Sequence, residues 1–185
     1  MPAMNTELLA WIDTETTGLD PHTGSLLEIA IIITDSQLNI VGTPYQQVIE
    51  PAPGWEHNLD LVTTAMHSDN GLLEEIHHGA GLPLETVDEE CEAYLARFAT
   101  PGTLLLAGNS ITFDREWLKL HLPRTYATLH YRSVDMTSVW QFLGRHAPSL
   151  DVDPNQKRAT VTNHRALDDL LDSIEEARAF QELLS

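Results

Sequence analysis

Asp13 and Glu15 stand two residues apart near the start of the chain, within Trp11-Ile12-Asp13-Thr14-Glu15. The run from Leu8 to Thr14 is apolar up to the first acid and is bounded by turn residues, which predicts a buried strand. Side chains on a strand alternate faces with period two, so both carboxylates project from one side of its end. Held together, they repel unless a cation lies between them. Oxygen donors suit hard divalent ions such as Mg²⁺ and Mn²⁺. Taken alone, the pair has a second reading as two solvated acids at a strand end.

A second grouping is His164-Arg165-Ala166-Leu167-Asp168-Asp169. It opens a helix predicted over about residues 165–184, with Leu167, Leu170, Leu171, Ile174 and Leu184 at helical spacing. Ala166, Asp169 and Ser173 lie three and four residues apart and share a face. The small Ala and Ser leave room for another element to approach Asp169. His164 precedes the helix, near enough to serve the same site. An ordinary histidine titrates at about 6.5, which suits a general base. Asp168 reads as a favourable charge at a helix N-terminus. In the third grouping, Asn109-Ser110-Ile111-Thr112-Phe113-Asp114, an acid stands at a turn from strand to helix, where the other reading is an N-cap.

These residues need a scaffold. Further strands are predicted over residues 26–34, 45–49 and 103–107, and helices over 59–66, 84–98, 114–120 and 133–143. Residues 148–162 are polar and turn-rich and predict a loop. Early strands followed by helices mixed with strands predict one α/β domain, residues 1–185, around a mixed sheet. Trp117, Trp140 and Phe142 are expected in the core. Glu28, inside the second strand, is open between a supporting group behind the ligands and a satisfied strand acid. No His-Glu-x-x-His, Cys-x-x-Cys or phosphate-binding glycine loop occurs, which argues against zinc and against a P-loop.

Composition narrows the partners. Of 185 residues, 42% are hydrophobic, normal for a globular protein, and no apolar run is long enough to cross a bilayer. No signal peptide is recognised, and the single cysteine, Cys91, suits a reducing cytoplasm. Ten Lys and Arg against 28 Asp and Glu give a formal charge of −18. Such a chain repels a long polyanion, so the expected substrate is short and no long nucleic acid is expected.

The three groupings, in this order and spacing, resemble the exonuclease motifs of the DEDDh superfamily. Within it the chain is most similar to the oligoribonucleases. The resemblance rests also on Leu27-Glu28-Ile29-Ala30, Thr34-Asp35-x-x-Leu38-Asn39-Ile40, Gly108-Asn109-Ser110, His130-Tyr131-Arg132-x-x-Asp135 and Asn163-His164-Arg165-Ala166-Leu167. The His-Tyr-Arg segment is the most distinctive, because proofreading exonucleases do not share it. Three positions depart from the family pattern. Thr16 stands where Met is usual, Thr112-Phe113-Asp114 stands in place of Gly-Gln-Asp or Gly-Thr-Asp, and the region of Val62 lacks a Trp found in some members.

The resemblance implies a ribonuclease H-like mixed sheet flanked by helices and 3′→5′ exonuclease activity with two Mg²⁺ or Mn²⁺ ions. Asp13, Glu15, Asp114 and Asp169 would be the metal ligands and His164 the general base. It also implies a substrate site in which Leu19, with His67, contacts the base, Ser110 and Thr137 bind the 5′ phosphate, and His130, Tyr131 and Arg132 arrive from the other subunit of a homodimer. The substrate would be a dinucleotide or very short oligonucleotide, with ribose and deoxyribose both retained as readings because the departures surround the sugar and base. Two alternatives stand beside it: a proofreading-type exonuclease on longer single-stranded DNA, and an inactive nuclease fold used for binding.

Overall fold

The computed structural model describes residues 7–150 and 163–184. Three strands come first: β1 (Leu8–Thr16), β2 (Leu26–Asp35) and β3 (Tyr45–Glu50). Next come helices α1 (Leu61–Asp69) and α2 (Leu72–His77), the short β4 (Leu82–Pro83) and α3 (Leu84–Leu95). The chain continues with β5 (Leu104–Gly108), α4 (Thr112–His121), α5 (Pro123–Thr128), β6 (Leu129–Asp135), α6 (Met136–His146) and α7 (Ala166–Leu183). The six strands form one mixed sheet in the order β4-β3-β2-β1-β5-β6. β1, β2 and β3 pair antiparallel, while β5 runs parallel to both β1 and β6.

Both sheet faces are covered, which is why β2 reads as a nearly continuous apolar, β-branched run. On one face Ala10, Ile12, Ile29, Ile31 and Ile33 pack with Val87 and Leu95 of α3 and Trp117 of α4. On the other, Trp11, Ala30 and Ile32 pack with Trp140 of α6 and with Ala166, Leu170, Ile174 and Phe180 of α7. Burying each such Ile or Leu contributes about 1.5–3 kcal/mol, enough in sum to carry a cluster of mutually repelling acids at one end of the sheet. β1 therefore sorts its residues by parity. Trp11, Asp13 and Glu15 fall on the α7 side, and Ala10, Ile12 and Thr14 on the α3–α4 side.

Three sequence expectations need correction. The helix predicted over 133–143 begins only at Met136, because residues up to Asp135 form β6. As an edge strand with Tyr131, Arg132 and Ser133 all exposed, β6 lacks the alternation that marks a half-buried strand. Phe142, expected in the core, is 63% exposed, whereas Trp117 and Trp140 are buried. Leu171 and Leu184 point outward, and the inner stripe of α7 runs through Ala177 and Phe180 instead. The helices α2 and α5, six residues each, are too short to show a helical period. α1 starts at Leu61 because Asp60 caps it. The Asp60 carboxylate accepts the Val62 and Thr63 N–H groups, and the Thr63 hydroxyl accepts the Asp60 N–H. Of the loop expected over 148–162, residues 148–150 form a 3₁₀ turn and the remainder lies outside the described residues. Among the described residues, no helix is long and apolar enough to cross a membrane.

Candidate active site

The parity of β1 brings Asp13 and Glu15 beneath the first turn of α7, where Asp169 faces them. One carboxylate oxygen from each of these three residues lies within 4.8 Å of the others. Asp169 Oδ1 is buried without a hydrogen-bond partner. A buried, unpartnered carboxylate oxygen beside two further acids is stable only with a proton or a cation. The donor set is all oxygen, which fits a hard divalent ion.

Asp114 reaches the same end of the sheet by another route. β5 pairs with β1 only as far as Trp11–Ala107, so the Thr14 N–H extends beyond the ladder. Asp114 Oδ1 accepts that N–H at 3.0 Å and the Thr14 hydroxyl at 2.8 Å. Asp114 is thus fixed by the residue between the two strand acids. Among the described residues, the close cluster holds three carboxylates with Asp114 adjoining it.

Charge makes the site unstable when empty of cations. Burial, reinforced by Asp114, Glu15 and Asp169, pushes the Asp13 carboxyl well above the ordinary range. Burial, then Asp169 and Glu28, raises Glu15 to about 8. Asp114 rises to about 7 through burial, with the Thr14 donors opposing, and Asp169 to about 6 through burial. Each of these groups keeps its proton to higher pH in the folded chain than in the unfolded one. Between about pH 4.5 and pH 8 the folded state therefore binds more protons, and stability falls as pH rises. Metal-free protein is accordingly expected to melt at a higher temperature at pH 5.5 than at pH 8, and Mn²⁺ to raise the pH 8 value most. Differential scanning calorimetry in chelator and in Mn²⁺ checks both; a metal-free melting point that climbed from pH 5.5 to pH 8 would contradict the site's electrostatics.

Glu28, left open by the sequence, has a definite place. It pairs directly opposite Glu15 in the β1–β2 ladder and is fully buried. Its carboxylate accepts Arg165 Nη2 at 2.7 Å, Gln46 Nε2 at 2.9 Å and the Ala166 N–H at 3.0 Å. The first N–H of α7 is thus satisfied by a strand acid, not by its own N-cap side chain. Pairing with Arg165 also keeps a fifth negative charge from bearing fully on Glu15.

His164 lies just outside the cluster, with Nδ1 4.0 Å from Asp169 Oδ2 and its side chain 48% exposed. His67, expected at the substrate, is instead fully buried. Its Nε2 bonds the Thr16 carbonyl at 3.0 Å, and Nδ1 lies 3.9 Å from Glu15 Oε2. It backs Glu15 from inside the fold. Leu19, on the loop after β1, is 87% exposed.

The RNase_T exonuclease family matches residues 10–177. Oligoribonuclease from Leifsonia xyli is 38% identical over 175 residues, covering 94% of this chain and 82% of the relative. That from Marinobacter nauticus is 36% identical and covers 96% of each. The chain belongs to the oligoribonuclease family. As a member, it is a hydrolytic exonuclease, and its acid cluster fits the binding of a divalent metal. Exonuclease I of E. coli in complex with a dT13 oligonucleotide superposes with a TM-score of 0.73 at 18% identity, covering 95% of this chain. Exonuclease I of Methylocaldum szegediense gives 0.67 at 24% identity. This oligoribonuclease-family chain spans about two-fifths of those structures, with which it shares the ribonuclease H-like fold.

The remaining expected site residues divide into two places. Ser110 and Thr137 adjoin each other at the C-terminal ends of β5 and β6; the Ser110 N–H donates to Thr137 Oγ1 at 3.0 Å. His130, Tyr131 and Arg132 lie on β6, the sheet's outer edge, with β5 between them and β1. The structure does not bring these three to the acid cluster of their own chain.

Proposed function

We propose that the chain hydrolyses dinucleotides and very short oligonucleotides from the 3′ end to 5′-mononucleotides, with two Mg²⁺ or Mn²⁺ ions held by Asp13, Glu15, Asp114 and Asp169. The observation that carries this reading is the three-carboxylate cluster with its orphaned Asp169 oxygen and with His164 at its margin. Two divalent ions, when bound, supply an acidified water and charge neutralisation at the leaving 3′ oxygen. His164 takes the proton of the attacking water, within reach of Asp169 and open to solvent, where that proton is released. Leu19 presents an apolar side chain to the terminal base. Ser110 and Thr137 offer hydroxyls to the 5′ phosphate.

His130, Tyr131 and Arg132 serve the site of a second copy in a homodimer. Support comes from their placement. Arg115 donates to the carbonyls of His130 and Arg132, which stiffens the edge strand. Tyr131 stays 55% exposed, with the Arg132 guanidinium 5.3 Å from its ring centroid. A cationic, aromatic edge facing away from its own metal centre suits a phosphate-bearing end in a neighbouring site. Such a cap limits substrate length and reconciles nuclease chemistry with a charge of −18. The family name of the relatives favours ribose. Thr14 and Thr16, flanking Glu15, are both buried, with hydroxyls on Asp114 and on the Gly18 carbonyl.

The test is turnover of 5′-phosphorylated ribo- and deoxy-oligomers, two to ten nucleotides long, with Mg²⁺ and with Mn²⁺, on protein whose mass in solution is measured alongside. We expect kcat/KM to be highest for the dinucleotide and to fall by about tenfold or more by five nucleotides, on a dimer. Equal rates at all lengths, or a monomer with full activity, would remove the capped-site reading.

A further inference from the structure

We propose that Asn70 and Glu28 are positioning residues for His164, gripping the chain where it leaves that residue so that its imidazole is held beside Asp169. The inference rests on His164 acting as the proton acceptor. His164 adopts φ +48°, a left-handed conformation that non-glycine residues rarely keep unless neighbouring structure holds them there. The structure shows two such holds, from different elements.

The first is Asn70, the C-cap of α1. Its Nδ2 donates to the carbonyl oxygen of His164. Its Oδ1 accepts the Leu72 N–H at 2.9 Å, at the start of α2. Both ends of the amide are used, so its orientation is fixed. In the second, the Arg165 guanidinium forks over two carboxylates. Nε and Nη2 bond Glu28 at 2.7–3.2 Å, and Nη1 and Nη2 bond Glu75 at 2.9 and 3.1 Å. Glu28 also takes the Ala166 N–H at 3.0 Å. The two peptide units that follow His164 are thus tied to the α1–α2 corner and to β2. Glu28 stands opposite Glu15 in the ladder, and the same corner carries His67 behind Glu15. One framework therefore registers His164 against the carboxylates. None of these bonds uses the His164 side chain.

Asn70→Asp is the discriminating change. It keeps an oxygen for the Leu72 N–H and nearly the same shape, but sets an oxygen against the His164 carbonyl. We expect kcat on a 5′-phosphorylated dinucleotide to fall about tenfold or more, as misplacing a reacting group does. KM, Mn²⁺ affinity by calorimetry and melting temperature should each stay near the unsubstituted values. Glu28→Gln, which keeps shape and weakens the Arg165 fork, should also lower kcat, but with shifts in Mn²⁺ affinity and melting temperature because it removes a buried charge that bears on the acid cluster. Should that buried variant not fold, Asn70→Asp decides alone. In a His164→Ala background, Asn70→Asp should add nothing to the residual rate, because the two act as a unit. Wild-type kcat in Asn70→Asp, or an equal loss with and without His164, would overturn the proposal. The two failures are separable. An active His164→Ala enzyme defeats the general-base reading, whereas a slow His164→Ala beside a fast Asn70→Asp defeats only the clamp.

Discussion

Asp13→Asn is expected to lower kcat by about 1000-fold or more and, at the same time, to raise the melting temperature of the metal-free protein at pH 8. The two signs come from one cause. Asp13 shares its space with Glu15 and Asp169, and its carboxyl is pushed up by burial and by four neighbouring acids. An amide of the same shape removes a like charge from that cluster, so repulsion in the empty site falls. The same amide is a weaker ligand for a hard cation and supplies no negative charge to balance two divalent ions. Stability gained where function is lost is the usual sign of a site kept strained for its chemistry. For a chain of this size each kcal/mol relieved moves the midpoint by about 2–4 °C. Calorimetry in chelator and in Mn²⁺ reads the stability; dinucleotide turnover reads the rate. The stabilisation by Mn²⁺ should shrink or vanish in the variant. A variant that melts lower without metal would mean that Asp13 is paired in a way its surroundings do not show. One that keeps its rate would remove Asp13 from the metal centre.

What the sequence disclosed of this site follows from the range of each signal. Asp13 and Glu15 were legible because strand parity is local, and the same parity predicts that both face one helix layer. Asp169 and His164 were legible as one segment, although only tertiary packing puts that segment against β1. Thr14 as the donor to Asp114 was not legible. It arises because β5 stops short of β1's end, which is a property of the sheet and not of either strand. Glu28 was ambiguous for the same reason: its meaning depends on lying opposite Glu15 across the ladder, with Arg165 arriving from 137 residues away. The β6 edge was missed because an edge strand with Tyr131, Arg132 and Ser133 all exposed loses the alternation that a buried face imposes. Its distinctive residues were noticed only through their resemblance to a family. Leu19 was marked for contact by resemblance alone, and the structure leaves it exposed. His67 had no local signal of burial. Its helix presents an apolar first turn to solvent and turns the histidine inward.

His164→Ala is expected to lower kcat by about 100- to 10,000-fold, the range a positioned general base supplies, while leaving Mn²⁺ binding and stability near their original values. The contrast with Asp13→Asn is what identifies the role. His164 lies outside the three-carboxylate cluster and approaches Asp169 only to 4.0 Å, so removing its ring leaves the oxygen ligands in place. Alanine is the proper replacement. Glycine would relax the left-handed backbone at φ +48° and mix a conformational effect with the chemical one. The side chain is half exposed, so its removal opens a space reachable from solvent. Added imidazole should therefore restore part of the rate in the alanine variant and little in Asp13→Asn, where the missing group is a ligand and not a base. Rescue that rises with the fraction of unprotonated imidazole would tie the deficit to proton removal. A His164→Ala protein that folds, binds Mn²⁺ and still turns over at most of the original rate would assign the proton to another acceptor, and Asn70 and Glu28 would then hold a residue whose role is structural.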